Sequence, residues 1–241
     1  MKVTVIGTSC TWFKRKNTSY LIDDDIVFDV PEGAYKDIIN LTDIYKLKCV
    51  LISHMHTDHA LNLHAITTRF IRENHGREEP LRVYAPKGAF DMLLELNKLF
   101  YGSHDETVKE SYAGFVEFVE LEDGMSFKEG EYTITAHKME HGRPETFGFT
   151  FEDEKKTTVG FSADTKVCES LHKILEKSNF AFVELSAVKP HPTHICCDEF
   201  VELLEKYKNV KIYPVHTSDK TQQFAVENGF NYLEDGQVLE F

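Results

Sequence analysis

In Ser53-His54-Met55-His56-Thr57-Asp58-His59, four side chains able to bind a metal fall within six positions, in the pattern H-x-H-x-D-H. Neutral imidazole and carboxylate are good ligands for zinc and related divalent ions. A short irregular loop can aim four such side chains at two neighbouring points, which a regular helix or strand cannot do at this spacing. His54 and His56 can then serve one ion while Asp58 and His59 serve the other. Two catalytic sites need more donors than these, so further ligands are expected downstream, at strand ends. The candidates are His141 in Glu140-His141-Gly142, Asp164 in Ser162-Ala163-Asp164-Thr165, and His216 in Val215-His216-Thr217. His64, His75, His104, His137, His172 and His191 are read as surface or packing residues.

The elements that must hold these donors follow from hydrophobic periodicity. Val3 and Val5 alternate with polar neighbours as in a half-buried strand. Strands near Thr18–Ile22 and Ile26–Val30 flank the acidic turn Asp23-Asp24-Asp25, and a helix is expected over Ala34–Asn40. Leu47–Ile52 reads as a buried strand with the histidine cluster at its C-terminal end, where α/β folds place ligand sites. A helix over Ala60–Arg72 and a strand at Leu81–Ala85 come next. A helix opened by Pro86 then presents Phe90, Leu93 and Leu94 on one face. Strands are expected around Phe115–Leu121, Glu131–Met139, Thr146–Phe151 and Thr157–Ser162. The last third alternates helix and strand, with Phe200, Leu203, Leu204 and Tyr207 at core-facing helical spacing. The pattern is layered α/β, read as one continuous domain over residues 1–241. The polar stretch Tyr101–Tyr112 reads as a lid, a dimer contact or a plain surface excursion.

Composition narrows the function classes. Of 241 residues, 41% are apolar, enough for a substantial core. Forty acidic residues against 27 basic ones leave a formal charge of −13. That balance opposes a polyphosphate chain and argues against extended nucleic-acid binding, although a local site could still receive one phosphate. No apolar run approaches the roughly 20 residues that span a bilayer, so no membrane role is expected. Met1–Gly7 reads as a strand rather than a secretory signal. The five cysteines are odd in number, follow no zinc-ribbon spacing, and include the adjacent pair Cys196 and Cys197. A reduced, cytoplasmic setting fits them.

The order H-x-H-x-D-H, an isolated His, an Asp after a strand and a late His resembles the metallo-β-lactamase superfamily, from Gly7-Thr8-Ser9 to His216. The resemblance implies a four-layer αβ/βα sandwich with two mixed β-sheets and two divalent metal ions, zinc first and manganese or iron as alternatives. It implies that His54, His56 and His141 hold one ion, that Asp58, His59 and His216 hold the other, and that Asp164 bridges both. Di-iron redox relatives carry Glu at the motif's second His, so His56 favours hydrolysis. Class B β-lactamases are secreted and lack the bridging Asp.

Finer features resemble the ribonuclease Z-like phosphodiesterase branch. Phe28-Asp29-Val30-Pro31-Glu32-Gly33 is similar to its D-x-G-E-G turn. Lys14-Arg15-Lys16-Asn17 is similar to a degenerate P-x-K-x-R-N loop, with Trp12 where proline would stand. Glu184 and His194 occupy places matching the family's Glu and His, a pair implied to handle the leaving-group proton. Against this, His194 could be a helix N-terminal residue without chemistry. The family's tRNA-gripping arm has no room here, because only 23 positions separate His141 from Asp164. Ala60-Leu61-Asn62-Leu63-His64 also replaces the usual glycine-leucine run.

The expectation is therefore a dinuclear metal-dependent hydrolase, a phosphodiesterase acting on a small phosphodiester or nucleotide through a metal-bridging hydroxide. Asp58 would orient the nucleophile, His194 polarised by Glu184 would donate the proton, and Lys14 or Lys16 would contact the phosphate. The alternatives are a lactonase or thioesterase, a tRNA 3′-processing endonuclease, and a non-enzymatic metal-sensing binding protein. A homodimer is compatible with the sequence and not required by it.

Overall fold

Short apolar runs pair into two sheets in the computed structural model, which describes residues 1–11, 13–73, 76–102 and 110–241. Trp12, His75, His104 and most of the stretch Tyr101–Tyr112 lie outside the described residues. The first sheet contains β1 (Lys2–Gly7), β2 (Ser19–Ile22), β3 (Ile26–Phe28), β4 (Cys49–Leu51), β5 (Leu81–Ala85), β6 (Val116–Glu120) and β13 (Val238–Glu240), in the order β13-β1-β2-β3-β4-β5-β6. The second contains β7 (Ser126–Glu129), β8 (Tyr132–Met139), β9 (Thr146–Glu152), β10 (Thr158–Phe161), β11 (Phe180–Glu184) and β12 (Lys211–Val215), in the order β12-β11-β10-β9-β8-β7. Both sheets are mixed. β3 to β6 run parallel while β13, β1, β2 and β3 pair antiparallel. β10 to β12 run parallel while β7 to β10 pair antiparallel.

The period of two in the strands sets the layers. Phe147, Phe149 and Phe151 lie on one face of β9 and meet Phe28, Phe161, Phe182 and Tyr213 in a core between the sheets. Each such phenylalanine contributes about 2–3 kcal/mol of burial. The other face of the first sheet is covered by α1 (Ala34–Leu41), α3 (Leu63–Arg72) and α4 (Ala89–Tyr101), with Ile38, Ile66, Phe70 and Leu93 buried there. The other face of the second is covered by α5 (Glu169–Lys177), α6 (Cys197–Lys206) and α7 (Asp219–Glu227), through Leu171, Ile174, Phe200, Leu203 and Ala225. Helix, sheet, sheet and helix form the expected four layers. No helix among the described residues is long and apolar enough to cross a membrane.

One expected element is broken in two. In place of a helix over Ala60–Arg72, a single turn α2 (Thr57–Ala60) precedes α3. The Asn62 amide donates to the Val30 carbonyl at 2.8 Å instead of extending α2, and the Val30 amide donates to the His59 carbonyl at 2.6 Å. This clasp ties the end of β3 to the metal-binding motif. Strand β3 stops at Phe28, short of the expected Val30, because Asp29 takes a left-handed conformation at φ 57°.

Candidate metal centre

The C-terminal ends of six strands meet along one edge of the sandwich. β3 leads to Asp29, β4 to Ser53 and His54, and β8 to His141. β10, β11 and β12 lead to Asp164, Glu184 and His216. Strand direction makes this possible, because β8 is antiparallel to β9 and β9 to β10, so β8 points the same way as β10 to β12. Asp29, Ala163 and His216 all have positive φ, at 57°, 50° and 51°. Non-glycine residues adopt this region at a cost, and such strain clusters at functional sites.

All seven predicted ligands converge. His54 Nε2 lies 2.9 Å from His56 Nδ1, and His141 Nε2 lies 3.4 Å from the same atom, so three ring nitrogens face one point. Asp58, His59 and His216 form a second group. Asp164 stands between the groups, with Oδ1 3.3 Å from His59 Nε2 and Oδ2 3.2 Å from His216 Nε2. The same Oδ2 lies 3.6 Å from His141 Nε2 and 4.0 Å from His54 Nε2. The six-residue motif thus mixes loop and helical turn: His54 and His56 precede α2, and Asp58 and His59 sit on it.

Several partners of these ligands were not singled out by the sequence. Asp29 Oδ2 takes His59 Nδ1 at 2.6 Å, while Asp29 Oδ1 accepts the Ser53 amide at 2.7 Å. The Ser53 hydroxyl bridges Asp29 and His54 Nδ1, at 2.8 and 3.0 Å. The Thr193 carbonyl takes His141 Nδ1 at 3.1 Å. Each bond occupies the ring nitrogen turned away from the centre and leaves the other free for a ligand, as metal-binding histidines require. The D-x-G-E-G-like turn drew attention to Asp29, but nothing in the sequence indicated that it orients His59. Lys16 does not reach the centre: its ammonium pairs with Asp37 at 2.7 Å, and Lys14 is exposed outside the cleft lining. Arg15 turns inward instead, donating to Thr8 Oγ1, Thr217 Oγ1 and the Thr217 carbonyl at 3.1, 3.0 and 2.9 Å. It braces the residue that follows His216. Gly7 allows this loop to close, since a Cβ there would fall 2.2 Å from the Asn17 carbonyl oxygen.

Glu184 and His194 also come together, with His194 Nδ1 2.9 Å from Glu184 Oε1. Glu184 is held from all sides: Oε1 accepts the Thr165 amide at 2.8 Å, and Oε2 accepts the Ser186 hydroxyl and amide at 2.8 and 3.2 Å. The His194 ring lies 4.8 Å from that of His141, and both line an open cleft of ≈ 990 Å³ over the ligands. Phe13 and Met55 add apolar surface to that cleft. His191, read from sequence as a surface residue, is exposed but also lines it, 5.1 Å from the His194 ring.

The electrostatics fit divalent cations. Burial, and then the positive charge of His59, hold His54 well below its ordinary pKa. Burial also lowers His56, with His141 adding to it. Burial opposes ionisation of Asp164, but His216 and His59 overcome it and hold the acid well below the usual carboxylate range. Burial likewise opposes charge on His59, yet Asp164 and Asp29 on either side raise it well above the ordinary value. His59 Nε2, Asp164 Oδ1 and His216 Nδ1 are buried without a hydrogen-bond partner. The imidazole nitrogens turned toward the centre and the ionised Asp164 together form a donor set that divalent ions would complete.

Comparison with known proteins agrees with this geometry. The family described as "Beta-lactamase superfamily domain" matches residues 27–217. Ribonuclease Z of Limosilactobacillus fermentum is 32% identical over 130 residues, covering 53% of this chain and 38% of that enzyme. Ribonuclease Z of Staphylococcus haemolyticus is 26% identical over 181 residues, covering 71% of this chain and 55% of its own length. The chain therefore spans about half the length, or less, of these curated relatives. Among solved structures, the metallo-beta-lactamase fold protein YhfI from Bacillus subtilis superposes with a TM-score of 0.79 at 17% identity, covering 100% of this chain and 99% of that one. A diphosphatase from the PhnP family gives 0.78 at 19% identity, covering 100% and 97%.

Proposed function

The chain belongs to the beta-lactamase superfamily, and from that membership we propose that it is a metal-dependent hydrolase that cleaves small phosphodiesters with two divalent ions, zinc first among the candidates. His54, His56 and His141 would hold one ion, Asp58, His59 and His216 the other, and Asp164 both. Bound ions supply the Lewis acidity that makes water nucleophilic near neutral pH and draws charge from phosphoryl oxygens. Asp58, on the cleft side of its group with 13% of its side chain exposed, accepts a hydrogen bond from the attacking water and sets its direction. Burial tends to raise its pKa, but His59, His216 and a hydrogen bond from Thr11 lower it, so it is ionised for that role.

The observation that carries the phosphodiester reading is the Glu184–His194 pair. Glu184 occupies Nδ1 and leaves Nε2 of His194 free toward the cleft. Burial alone would lower the pKa of His194; the hydrogen bond and charge of Glu184, then the charges of Asp164 and Asp58, raise it to about 8. Glu184 thus favours the protonated form of His194, which is placed to pass a proton to a departing oxygen. An alkoxide leaving a phosphodiester or a lactone needs that proton, whereas a thiolate leaving a thioester does not, so the pair speaks against the thioester. The relatives named ribonuclease Z support a phosphodiester substrate. The interval from His141 to Asp164 is filled by β9, β10 and the short turn between them, which favours a compact substrate over tRNA.

The test compares leaving groups. Replacing His194 by Ala should slow cleavage of adenosine 2′,3′-cyclic phosphate by about 10²–10³-fold, and that of bis-p-nitrophenyl phosphate far less, with metal content unchanged. Equal losses on both substrates would remove His194 as the acid. Turnover of a lactone or thioester but of neither diester would transfer the centre to carbonyl chemistry.

A further inference from the structure

We propose that Arg143 determines specificity in this cleft by holding a second anionic group, on the leaving-group side of the substrate; this rests on the phosphodiesterase reading. Among the described residues lining the cleft, Arg143 is the only lysine or arginine. It is exposed, and its guanidinium forms no ion pair or hydrogen bond among the described residues. In a chain of formal charge −13, where many lysines and arginines pair with neighbouring acids, an unpaired guanidinium beside the ligands stands apart.

The backbone fixes which side of the cleft this cation serves. Arg143 lies two positions after the ligand His141, whose Nδ1 is held by the Thr193 carbonyl. Gly142, at φ 81°, packs so closely there that a Cβ would sit 3.0 Å from Thr193 Cγ2. The loop bearing Arg143 is therefore pressed against the loop bearing His191, Thr193 and His194. Pro144, with its fixed φ, follows directly, and its carbonyl accepts the Thr146 hydroxyl at 3.2 Å. The root of the side chain is thus anchored while its end is free. His194, held by Glu184, stands on this side with its ring 4.8 Å from that of His141, so a substrate seated over the ligands with its leaving portion toward His194 brings that portion to Arg143. A guanidinium there offers paired N–H donors that match a phosphate or carboxylate. Arg143 is the one lysine or arginine among the described residues of this lining, so a second anion lying beyond the metal ligands finds its fixed positive charge there. The substrate class is therefore a small phosphodiester whose leaving portion carries its own phosphate or carboxylate, with Phe13 and Met55 available to its apolar part.

The experiment measures kcat/KM for adenosine 2′,3′-cyclic phosphate with and without a 5′-phosphate, on the metal-loaded protein. A preference for the phosphorylated form of roughly 10-fold or more is expected, as one charge-assisted contact would give. Arg143→Ala should bring that ratio close to one, and Arg143→Glu should invert it. In parallel, calorimetry on the metal-free protein should show adenosine 3′,5′-bisphosphate binding more tightly than adenosine 3′-monophosphate, with the difference lost in Arg143→Ala. A wild-type ratio near one, or a preference that survives Arg143→Ala, would overturn the assignment. Bis-p-nitrophenyl phosphate reports separately on the phosphodiesterase reading. If it and both cyclic nucleotides are inert, that reading fails, and the calorimetric difference still decides the role of Arg143.

Discussion

The two edges of the sandwich treat their charged groups in opposite ways. At the N-terminal ends of β3 and β4, Asp25 pairs with Lys48 at 2.5 Å. Beside them Glu129, 1% exposed, accepts Arg82 Nη2 at 2.9 Å and the Tyr84 hydroxyl at 2.7 Å. The Tyr132 hydroxyl donates to Asp23. Each of these acids has a partner supplied by the chain. At the C-terminal ends of β4, β10 and β12, His59, Asp164 and His216 are buried against one another, Asp164 Oδ1 3.3 Å from His59 Nε2 without a well-formed hydrogen bond and Oδ2 3.2 Å from His216 Nε2. Both edges gather carboxylates, so a cluster of acids does not separate them. What separates them is that one edge is closed by lysine, arginine and tyrosine, and the other sets its carboxylates among imidazoles that converge on shared points. Burying unpaired polar atoms costs about 1–3 kcal/mol each, a cost reasonable where a bound ion would repay it.

Substitutions at each edge test whether this division is real. The largest effect should come from Asp164→Ala, which removes the carboxylate lying between both ligand groups. Hydrolysis should fall by on the order of 10³-fold or more, and metal analysis should find fewer than two ions per chain. Full activity with two ions retained would take Asp164 out of the bridging position. At the other edge, Glu129→Ala leaves the Tyr84 hydroxyl and Arg82 without their acceptor in a buried place. It should destabilise the protein by about 2–3 kcal/mol in urea unfolding and leave metal affinity as it was. Sites this far apart without shared partners are expected to act additively. Loss of metal affinity in Glu129→Ala would mean that the two edges are coupled through the strands they share.

The candidate ligands were legible in the sequence because their types and their places after apolar runs carry the information. His54, His56, Asp58, His59, His141, Asp164 and His216 could all be named without knowing which strands pair, and the structure brings their side chains together, His54 lying close to His59 and Asp164 as well as to His56 and His141. Their supports were less visible, because each depends on contacts across the chain. Asp29 orients His59 from 30 positions away, and the Thr193 carbonyl that fixes His141 is a backbone atom common to every residue type. The expected helix over Ala60–Arg72 failed for a related reason: Asn62 gives its amide to Val30, and no local propensity announces that bond. Edge strands β7 and β13 were missed because Ser126–Glu129 and Val238–Glu240 are short and carry too few apolar residues to show alternation. In the basic loop the lysines drew attention, yet Arg15 is the residue that turns inward, a matter of backbone direction that composition does not reveal.

The smallest effect concerns a histidine that the chain itself closes. His137 on β8 is 5% exposed, with Nε2 3.1 Å from the Thr150 hydroxyl on β9. Burial, reinforced by Lys177, lowers its pKa to about 4. The folded protein therefore keeps this ring neutral over a range in which the unfolded chain, with an ordinary value near 6.5, takes up a proton. Its contribution to stability is complete above about pH 6.5 and is lost as pH falls toward about 4. Allowing for partial solvent screening, the loss amounts to about 1–2 kcal/mol. Urea unfolding of the metal-free protein at about pH 7.5 and about pH 5 should show wild type losing more stability than His137→Gln by roughly that amount. The histidines of the centre are common to both proteins and cancel in the difference. Equal losses would mean that His137 is protonated or solvated in the folded state. The contrast between histidines sealed by the protein and histidines left open to a metal would then lose its internal control.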